Sequence, residues 1–381
     1  GNYSNVNGGG FNRATNSYSS IAGGNNNQAN GKYAFIGGGN LNTAQTNSSS
    51  ILGGQSNITF GNNSSIIGGT QNIASGSESS IVGGSKNLSS NVCTFIGGGY
   101  KNSATTNYST VVGGSKNLAS GSNSFIGGGG NNIASGSHSF IGGGGSDTYD
   151  ILKNEASGLA SSVISGRRNL AGADMTFVGG GYKNIISGKY SIIVGGHNNT
   201  ITGLRSFIGG GRENTAITSY SIIVGGKQNL ISGNSVSNNT SVSFIGGGKN
   251  NIALDGFGGN SSVVVGGKNN FAGGSYYTGS FVGGGSHNQA SGNYSVITGG
   301  KYNIASNYYS TIGGGATNYC IGQSATIAGG TTNKAYGTAA FIGGGKSNSA
   351  MTYFSTVVAG LRNTTFGIYS SVLNGTFNIA S

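Results

Sequence analysis

The chain has 381 residues, of which 79 are Gly and none is Pro or Trp, and only 7% of its residues are charged. This composition argues against an ordinary globular core, and the longest apolar runs are too short for a transmembrane segment. The formal net charge of +12 at pH 7 favours either an anionic partner or a solubilising role for the cations.

Asn recurs along the chain at a nearly constant spacing of 15 residues and divides it into 24 repeats. The series starts at Asn12, reaches Asn132, takes Asp147 in place of Asn, resumes at Asn169 and ends at Asn378. A fixed period of this length is typical of a solenoid. We therefore predict an all-β fold, a parallel β-solenoid that forms a single domain over residues 1–381, with 24 turns of about 15 residues.

Positions at even distances from each Asn carry small or β-branched residues. The residue six before the Asn is always Ile or Val, as at Ile66, the residue eight before it is mostly Ser, Thr or Ala, as at Ser64, and the residue two after it is usually Ala, as at Ala74. This alternation predicts β-strands whose even positions face the interior. The Asn amides are expected to stack in a ladder, and the Gly-Gly pair and the later Gly76 are expected to supply positive φ at the corners. At about 4.8 Å per turn, the turns would make a rod of roughly 115 Å.

Odd positions describe a second, outward face that is also apolar. Nine repeats carry Phe seven residues before the Asn, always with Gly two residues later, and the other repeats usually carry a larger residue there, such as Leu52 or Ile67. Compensating sizes are typical of a packed surface, and a strand that is apolar on both faces needs a cover. We predict a homo-oligomer whose interface includes Phe35, Phe95, Phe125, Phe140, Phe177, Phe207, Phe244, Phe281 and Phe341.

Four repeats contain insertions, near residues 148–154, 234–240, 255–258 and 275–277. All four are expected at one corner of the turn, after the Ala-x-Gly element, and insertions on one face of a solenoid often form its binding face. Tyr149, Phe257, Tyr276 and Tyr277 are therefore candidate contacts for a sugar or protein ligand. The alternative is ordinary variation of surface loops.

Cations gather in the two positions before the Asn, as at Lys86, Lys116, Lys249 and Lys268. A solenoid would stack them into a column along one edge. The column would either attract a polyanion, such as an acidic polysaccharide, or keep the edge soluble and unpaired. No nucleic-acid recognition motif accompanies it, so we predict no specific nucleic-acid partner.

The acidic residues offer little for catalysis or metal binding. Asp147, Asp150 and Glu155 are the only local group that could hold a hard cation, and they lack EF-hand spacing. The three His residues are scattered. Cys93 and Cys320 lie many turns apart, and Cys320 takes an interior Ala position. We predict no enzymatic activity, no cofactor and no metal site.

The repeat resembles the head repeats of YadA-like trimeric autotransporter adhesins and is similar to repeats of phage and virus fibres. The matching residues are Ser65, Ile66, Ile67 and Gly68, followed by Ala74-Ser75-Gly76. The resemblance implies a left-handed β-roll, a homotrimer and a place on an extracellular cell or virion surface. The Gly-Gly corner is richer in Gly than in that family, and we find no neck motif, heptad stalk or anchor barrel within these residues, so a collagen- or cell-binding role does not transfer automatically.

Together these features predict a non-enzymatic, extracellular fibre or adhesin segment, a stiff oligomeric rod for surface attachment or display, without membrane insertion. Host-surface glycan or protein would be its ligand. The alternative is a filament that self-assembles by end-to-end stacking, because a whole number of turns without caps is expected either to continue in a longer fibre or to stack. Ice binding would require a regular Thr array, and a tailspike-type depolymerase would require carboxylates in a groove.

Overall fold

The computed structural model describes residues 1–146, 152–233, 242–256, 261–274 and 279–381. The chain divides into two units, Gly1–Ile186 and Ser187–Ser381. Each unit is a parallel β-solenoid in which every turn carries two short strands, called here the first and the second strand. The two units contain about 24 turns of about 15 residues, and the described residues form no α-helix. The predicted fold class is confirmed, while the prediction of a single domain stays a prediction.

Nearly all strands are two residues long. The first strands of unit 1 are Asn5–Val6, Ser20–Ile21, Phe35–Ile36, Ser50–Ile51, Ser65–Ile66, Ser80–Ile81, Phe95–Ile96, Thr110–Val111, Phe125–Ile126, Phe140–Ile141, Ser162–Val163 and Phe177–Val178. Its second strands are Arg13–Ala14, Gln28–Ala29, Thr43–Ala44, Ile58–Thr59, Ile73–Ala74, Leu88–Ser89, Ser103–Ala104, Leu118–Ala119, Ile133–Ala134, Glu155–Ala156, Leu170–Ala171 and Ile185–Ile186.

Unit 2 repeats this arrangement. Its first strands are Ile192–Ile193, Phe207–Ile208, Ile222–Ile223, Phe244–Ile245, Val263–Val264, Phe281–Val282, Val296–Ile297, Thr311–Ile312, Thr326–Ile327, Phe341–Ile342, Thr356–Val357 and Ser371–Val372. Its second strands are Thr200–Ile201, Thr215–Ala216, Leu230–Gly233, Ile252–Asp255, Phe271–Ala272, Gln289–Ala290, Ile304–Ala305, Tyr319–Cys320, Lys334–Ala335, Ser349–Ala350, Thr364–Thr365 and Ile379–Ala380.

Within each unit, strands pair in register with the equivalent strands of the next turn. Ile21 pairs with Ile36, one repeat further along the chain. The backbone N–H of Ile58 donates to the carbonyl of Asn72 at 2.9 Å, and the same pattern recurs from turn to turn. Because pairing is between equivalent residues, each side chain stacks on its own column, which is why the sequence repeats so strictly.

The interior column of Ile and Val is fully buried except at its two ends, where Val6 is 43% and Val372 is 8% exposed. Ile36, Ile51 and Ile66 are 0% exposed, and the small residues Ser64 and Ala74 beside this column are also 0% exposed. The prediction that even positions face the interior is confirmed. One β-branched side chain per turn fills the narrow core, so truncating any one of them would leave a cavity in the stack.

The Asn ladder differs from the predicted stack of amides. In the inner turns the side chain mainly contacts backbone: Asn42 Nδ2 donates to the carbonyls of Gly38 at 3.0 Å and Gly54 at 2.9 Å. Its Oδ1 accepts the backbone N–H of Asn57 at 3.0 Å. At this corner the neighbouring backbone groups do not reach each other, and the buried Asn side chain supplies the missing partners.

The glycines also differ in part from the prediction. Gly54, the second of a Gly-Gly pair, has φ +92°, and an added Cβ would lie 2.2 Å from the carbonyl oxygen of Gly69. Gly76 has no such φ; its Cβ would lie 1.9 Å from the carbonyl oxygen of Asn91. Positive φ at that corner belongs to Glu78, two residues later. Close approach of the next turn, rather than positive φ, therefore requires Gly76.

The first insertion lies at a different corner from the predicted one. Asn154 holds the ladder position, since its backbone N–H donates to Asn132 Oδ1 at 3.1 Å and its Nδ2 donates to Gly143 and Gly166. The prediction that Asp147 takes this position was wrong. The spacing of the repeats shows that this repeat contains extra residues. Only the hydrogen bonds of the Asn ladder show that Asn154 holds the ladder position in this turn.

Candidate functional site

The main candidate site is the outward face of the first strands. We call it the outward stripe and define it by the first residue of each first strand and the residue that directly follows that strand. In unit 1 it includes Phe35, Leu52, Ile67 and Val82, which are 36% or more exposed. Parallel pairing in register places these residues on consecutive turns, so their apolar surfaces adjoin.

Phe and the Gly that follows it form one packing unit within this stripe. A Cβ added to Gly127 would lie 2.5 Å from the carbonyl oxygen of Gly142 and 3.6 Å from Cε1 of Phe125. The equivalent distance from Gly246 to Cε1 of Phe244 is 3.2 Å. The ring lies over the glycine, and the next turn approaches the same point. The compensating sizes seen in the sequence therefore reflect packing within the turn.

The exposed apolar surface comes as much from aliphatic residues as from the predicted Phe side chains. Phe35 and Phe140 are 40% and 36% exposed, whereas Phe95 and Phe125 are less exposed and count as half-buried. Phe125 and Phe140 stack with ring centroids 5.3 Å apart. The sequence pattern placed aliphatic residues on this face without adding them to the predicted Phe interface. Six of them are 42–52% exposed, namely Leu52, Ile67, Val82, Val112, Val194 and Val224. They stand at an odd distance from the ladder Asn, at the position that Gly takes in the repeats with Phe.

A second aromatic column stands at the corner before the first strand. Tyr18 stacks between Tyr3 and Tyr33, with centroid distances of 5.1 and 5.0 Å. Tyr294 and Tyr309 stack in the same way at 5.3 Å. These residues have φ near 60°, a conformation that costs a non-Gly residue about 1 kcal/mol and that the stacked rings help to offset.

The candidate ligand contacts Tyr149, Phe257, Tyr276 and Tyr277 lie outside the described residues, as do Asp147 and Asp150. The flanking strands nevertheless locate the insertions. Three follow second strands, but the first precedes the second strand Glu155–Ala156. The prediction that all four insertions share one corner was wrong, because Asn154 closes the ladder after the first of them.

Glu155, the described member of the acidic group, lies in cationic surroundings. Its Oε2 is 3.3 Å from Nζ of Lys153, and Arg168 and Lys183 line the same shallow groove. These positive charges disfavour a bound cation. Among the residues that the structure describes, no group of three His, Cys, Asp or Glu side chains could hold a metal ion.

Asp255 is a buried carboxyl group that the sequence analysis placed in an insertion. It ends the strand Ile252–Asp255, pairs with Gly233 and is 4% exposed. Ser243 Oγ donates to its Oδ1. Desolvation raises the pKa of Asp255, against the opposing effect of hydrogen bonds from Ser243 and Thr218. Its even offset, four residues after Asn251, was the signal for an interior position.

Cationic side chains occupy the corner before the ladder Asn in both units. In unit 1, Lys86, Lys101 and Lys116 stand one residue before the Asn on consecutive turns. A hydrogen bond from Lys101, assisted by the charges of the other two, lowers the pKa of Tyr100. In unit 2 the cations stand two residues before the Asn, on bridge positions. Each set concentrates positive charge on a single corner, as the sequence predicted.

The two thiols differ in their surroundings. Cys320 pairs with Ala305 and Ala335 and is 0% exposed, which confirms its predicted interior position. Burial raises its pKa to about 12. Cys93 is half-buried, and its Sγ donates to Glu78 Oε2 at 3.3 Å. Only Cys93 is therefore accessible to reagents.

No helix with the length and apolar character of a membrane span occurs in the part of the chain that the structure describes. In comparisons with known proteins, no protein-family model matches the chain and no curated protein matches it significantly.

Proposed function

We propose that this chain is a non-enzymatic segment of an extracellular fibre or adhesin that works as a homo-oligomer, most simply a trimer, for surface attachment or display. The outward stripe carries the proposal. Its apolar side chains recur on consecutive turns and are about half exposed, as Leu52, Ile67 and Val82 are. Monomeric proteins rarely expose apolar surface that continues over so many residues.

A second copy of the same chain is the simplest cover for this stripe. An in-register solenoid offers an identical repeat on each partner, so the exposed apolar side chains of one copy can pack against those of another. Such repeated contacts add along the stripe, and burial contributes about 25 cal/mol per Å² of apolar surface. The resemblance of the repeat to the heads of YadA-like adhesins supports a homotrimer and an extracellular location.

Size-exclusion chromatography with light scattering tests this proposal. The full chain is expected to give a mass near three times its 37.7 kDa at micromolar concentration. The triple variant Leu52→Asp/Ile67→Asp/Val82→Asp places charges in the stripe and is expected to dissociate into monomers.

The control variant Asn26→Asp/Ser56→Asp/Gln71→Asp adds the same charge at exposed or half-buried corner positions and is expected to stay assembled. Circular dichroism verifies that both variants keep their β-structure. A monomeric parent chain would refute the proposal. Electron microscopy of the parent separates discrete oligomers from filaments, and long filaments would favour end-to-end stacking instead.

A further inference from the structure

Four cationic side chains follow one another on one corner of unit 2. Arg212 bridges Lys227, Lys227 bridges Lys249, and Lys249 bridges Lys268. They therefore stand in register on consecutive turns, about 4.8 Å apart along the solenoid. We call these four residues the cation row; Lys301 extends it beyond Ser286.

Little negative charge opposes the cation row. Residues 187–381 contain ten Lys and Arg residues but only two acidic ones, Glu213 and Asp255. Glu213 pairs with Arg212 at 2.8 Å, and Asp255 is buried. Within the described ranges, Lys227, Lys249 and Lys268 have no acidic side chain within ion-pair distance. Adjacent like charges repel, so the row would gain from an anionic partner.

Protection of an unpaired sheet edge does not explain these lysines. The backbone N–H of Lys249 donates to Gly267 at 2.9 Å, and its carbonyl accepts from Asn269 at 2.9 Å. Lys227 and Lys268 make the equivalent bonds to Gly248 and Gly285. These turns have no free edge at this corner, so the usual role of edge lysines does not apply.

A row of polar side chains runs beside the cations. Gln228, Asn250 and Asn269 occupy the next position on the turns of Lys227, Lys249 and Lys268, and His287 occupies it on the following turn, with φ between 54° and 57°. On the turn of Arg212 this position is Glu213. His287 Nε2 lies 2.8 Å from Asn269 Nδ2 and its Nδ1 lies 2.7 Å from Ser286 Oγ. We call these four residues the amide row. It offers donors and acceptors suited to hydroxyl groups.

We propose that the cation row and the amide row together bind a linear anionic polysaccharide of the polyuronate class, laid along successive turns. A polyuronate repeats one carboxylate and several hydroxyls on every sugar, a period of the same order as the separation between turns. Single-stranded nucleic acid would favour aromatic stacking platforms, whereas the residues that follow Lys227, Lys249 and Lys268 are the amides Gln228, Asn250 and Asn269. The inference goes beyond the proposed assembly and does not rest on it, because the rows lie on a corner outside the outward stripe.

Biolayer interferometry on immobilised polygalacturonate tests the inference with the full chain. The variant Lys227→Gln/Lys249→Gln/Lys268→Gln is expected to bind at least about 10-fold more weakly than the parent, with a shallower dependence on salt. The control variant Lys189→Gln/Arg205→Gln/Lys334→Gln removes the same charge from exposed positions of unit 2 outside this column and is expected to lose less than about 3-fold in affinity.

Dextran, an uncharged polysaccharide, and single-stranded DNA serve as comparison polymers. Polygalacturonate is expected to bind more tightly than either. Equal losses in the two triple variants would show generic charge attraction and overturn the inference, as would tighter binding of DNA or no binding of polygalacturonate. Light scattering on the same samples distinguishes this failure from failure of the proposed assembly.

Discussion

Asn57 Oδ1 accepts a hydrogen bond from the backbone N–H of Asn72 at 3.0 Å. Asn72 in turn donates from Nδ2 to the carbonyls of Gly68 at 3.1 Å and Gly84 at 3.0 Å, and accepts from the N–H of Asn87. Asn72 thus ties together three successive turns, through its backbone N–H to the preceding turn and through its side chain to its own turn and the next. The strict Asn period follows from this role.

Replacing Asn72 by Ala is therefore expected to destabilise the solenoid. The change leaves the buried N–H of Asn87 without its partner and removes two bonds to Gly carbonyls, at a cost of about 2–3 kcal/mol. Denaturation by guanidinium measures the change. Asn62→Ala, at an exposed Asn outside the ladder, is the matched control and is expected to be nearly neutral. Equal effects of the two substitutions would contradict the proposed role of the ladder.

Gly127→Ala is expected to destabilise unit 1, because the new Cβ would lie 2.5 Å from the carbonyl oxygen of Gly142. The expected loss is about 1–3 kcal/mol. Gly128→Ala is the control: its Cβ would meet nothing within 4 Å, so the substitution is expected to be neutral or slightly stabilising. Thermal unfolding of both variants checks the difference. A harmless Gly127→Ala would contradict this close approach of the next turn to Gly127.

Asp255→Asn is expected to stabilise the protein at neutral pH. Burial raises the pKa of Asp255 in the folded state, so the folded chain binds this proton more tightly than the unfolded chain does. The contribution of Asp255 to stability is thus full below the ordinary Asp pKa and is lost as pH rises through the raised folded pKa. The Asn variant should lack this loss, and denaturation midpoints across the acid range measure it.

Glu213→Gln serves as the control of opposite sign, because the hydrogen bond from Arg212 lowers the pKa of Glu213. The stabilising effect of Glu213 is present above the ordinary Glu pKa and is lost as pH falls through the lowered value. Removal of Glu213 should therefore not reproduce the stabilisation expected for Asp255→Asn. Identical pH profiles for parent and Asp255→Asn would contradict the assignment of a buried carboxyl.

Thiol labelling is expected to modify Cys93 but not Cys320 in the folded protein. Cys320 is buried and its pKa is raised to about 12. The hydrogen bond to Glu78 raises the pKa of Cys93, which lowers its thiolate fraction near neutral pH. Glu78→Gln should therefore speed the labelling of Cys93. Modification followed by mass spectrometry checks both expectations, and rapid labelling of Cys320 would contradict its interior position.

Much of the fold could be predicted from the sequence because each position of the repeat has the same surroundings in every turn. Ile66, Ser64 and Ala74 stand at even offsets and are buried as expected. The contacts of the Asn side chain could not be predicted, because they depend on the distance to Gly carbonyls one turn away. Spacing alone also could not show that Asn154 closes the ladder, and Asp255 was missed because an expected insertion outweighed its even offset.

The candidate site was predicted less completely than the fold. The Phe series and the larger residues that replace its Gly, such as Leu52 and Ile67, indicated an apolar outward face, but the exposure of each side chain became clear only from the structure, in which the ring of Phe125 lies over Gly127. Their exposure depends on packing between turns, which a repeat pattern does not specify. The cation row likewise required the bridge register of unit 2.

Protection of the outward stripe from reagents in solution is the most direct test of the proposal that copies of the chain assemble through it. In a Cys93→Ser background, Ile67→Cys places a thiol on the stripe and Gln71→Cys places one on the exposed corner of the same turn. At micromolar protein, a thiol reagent is expected to label the corner thiol quickly, while the stripe thiol stays protected until dilution separates the copies. Equal, concentration-independent labelling of the two positions would contradict the proposal.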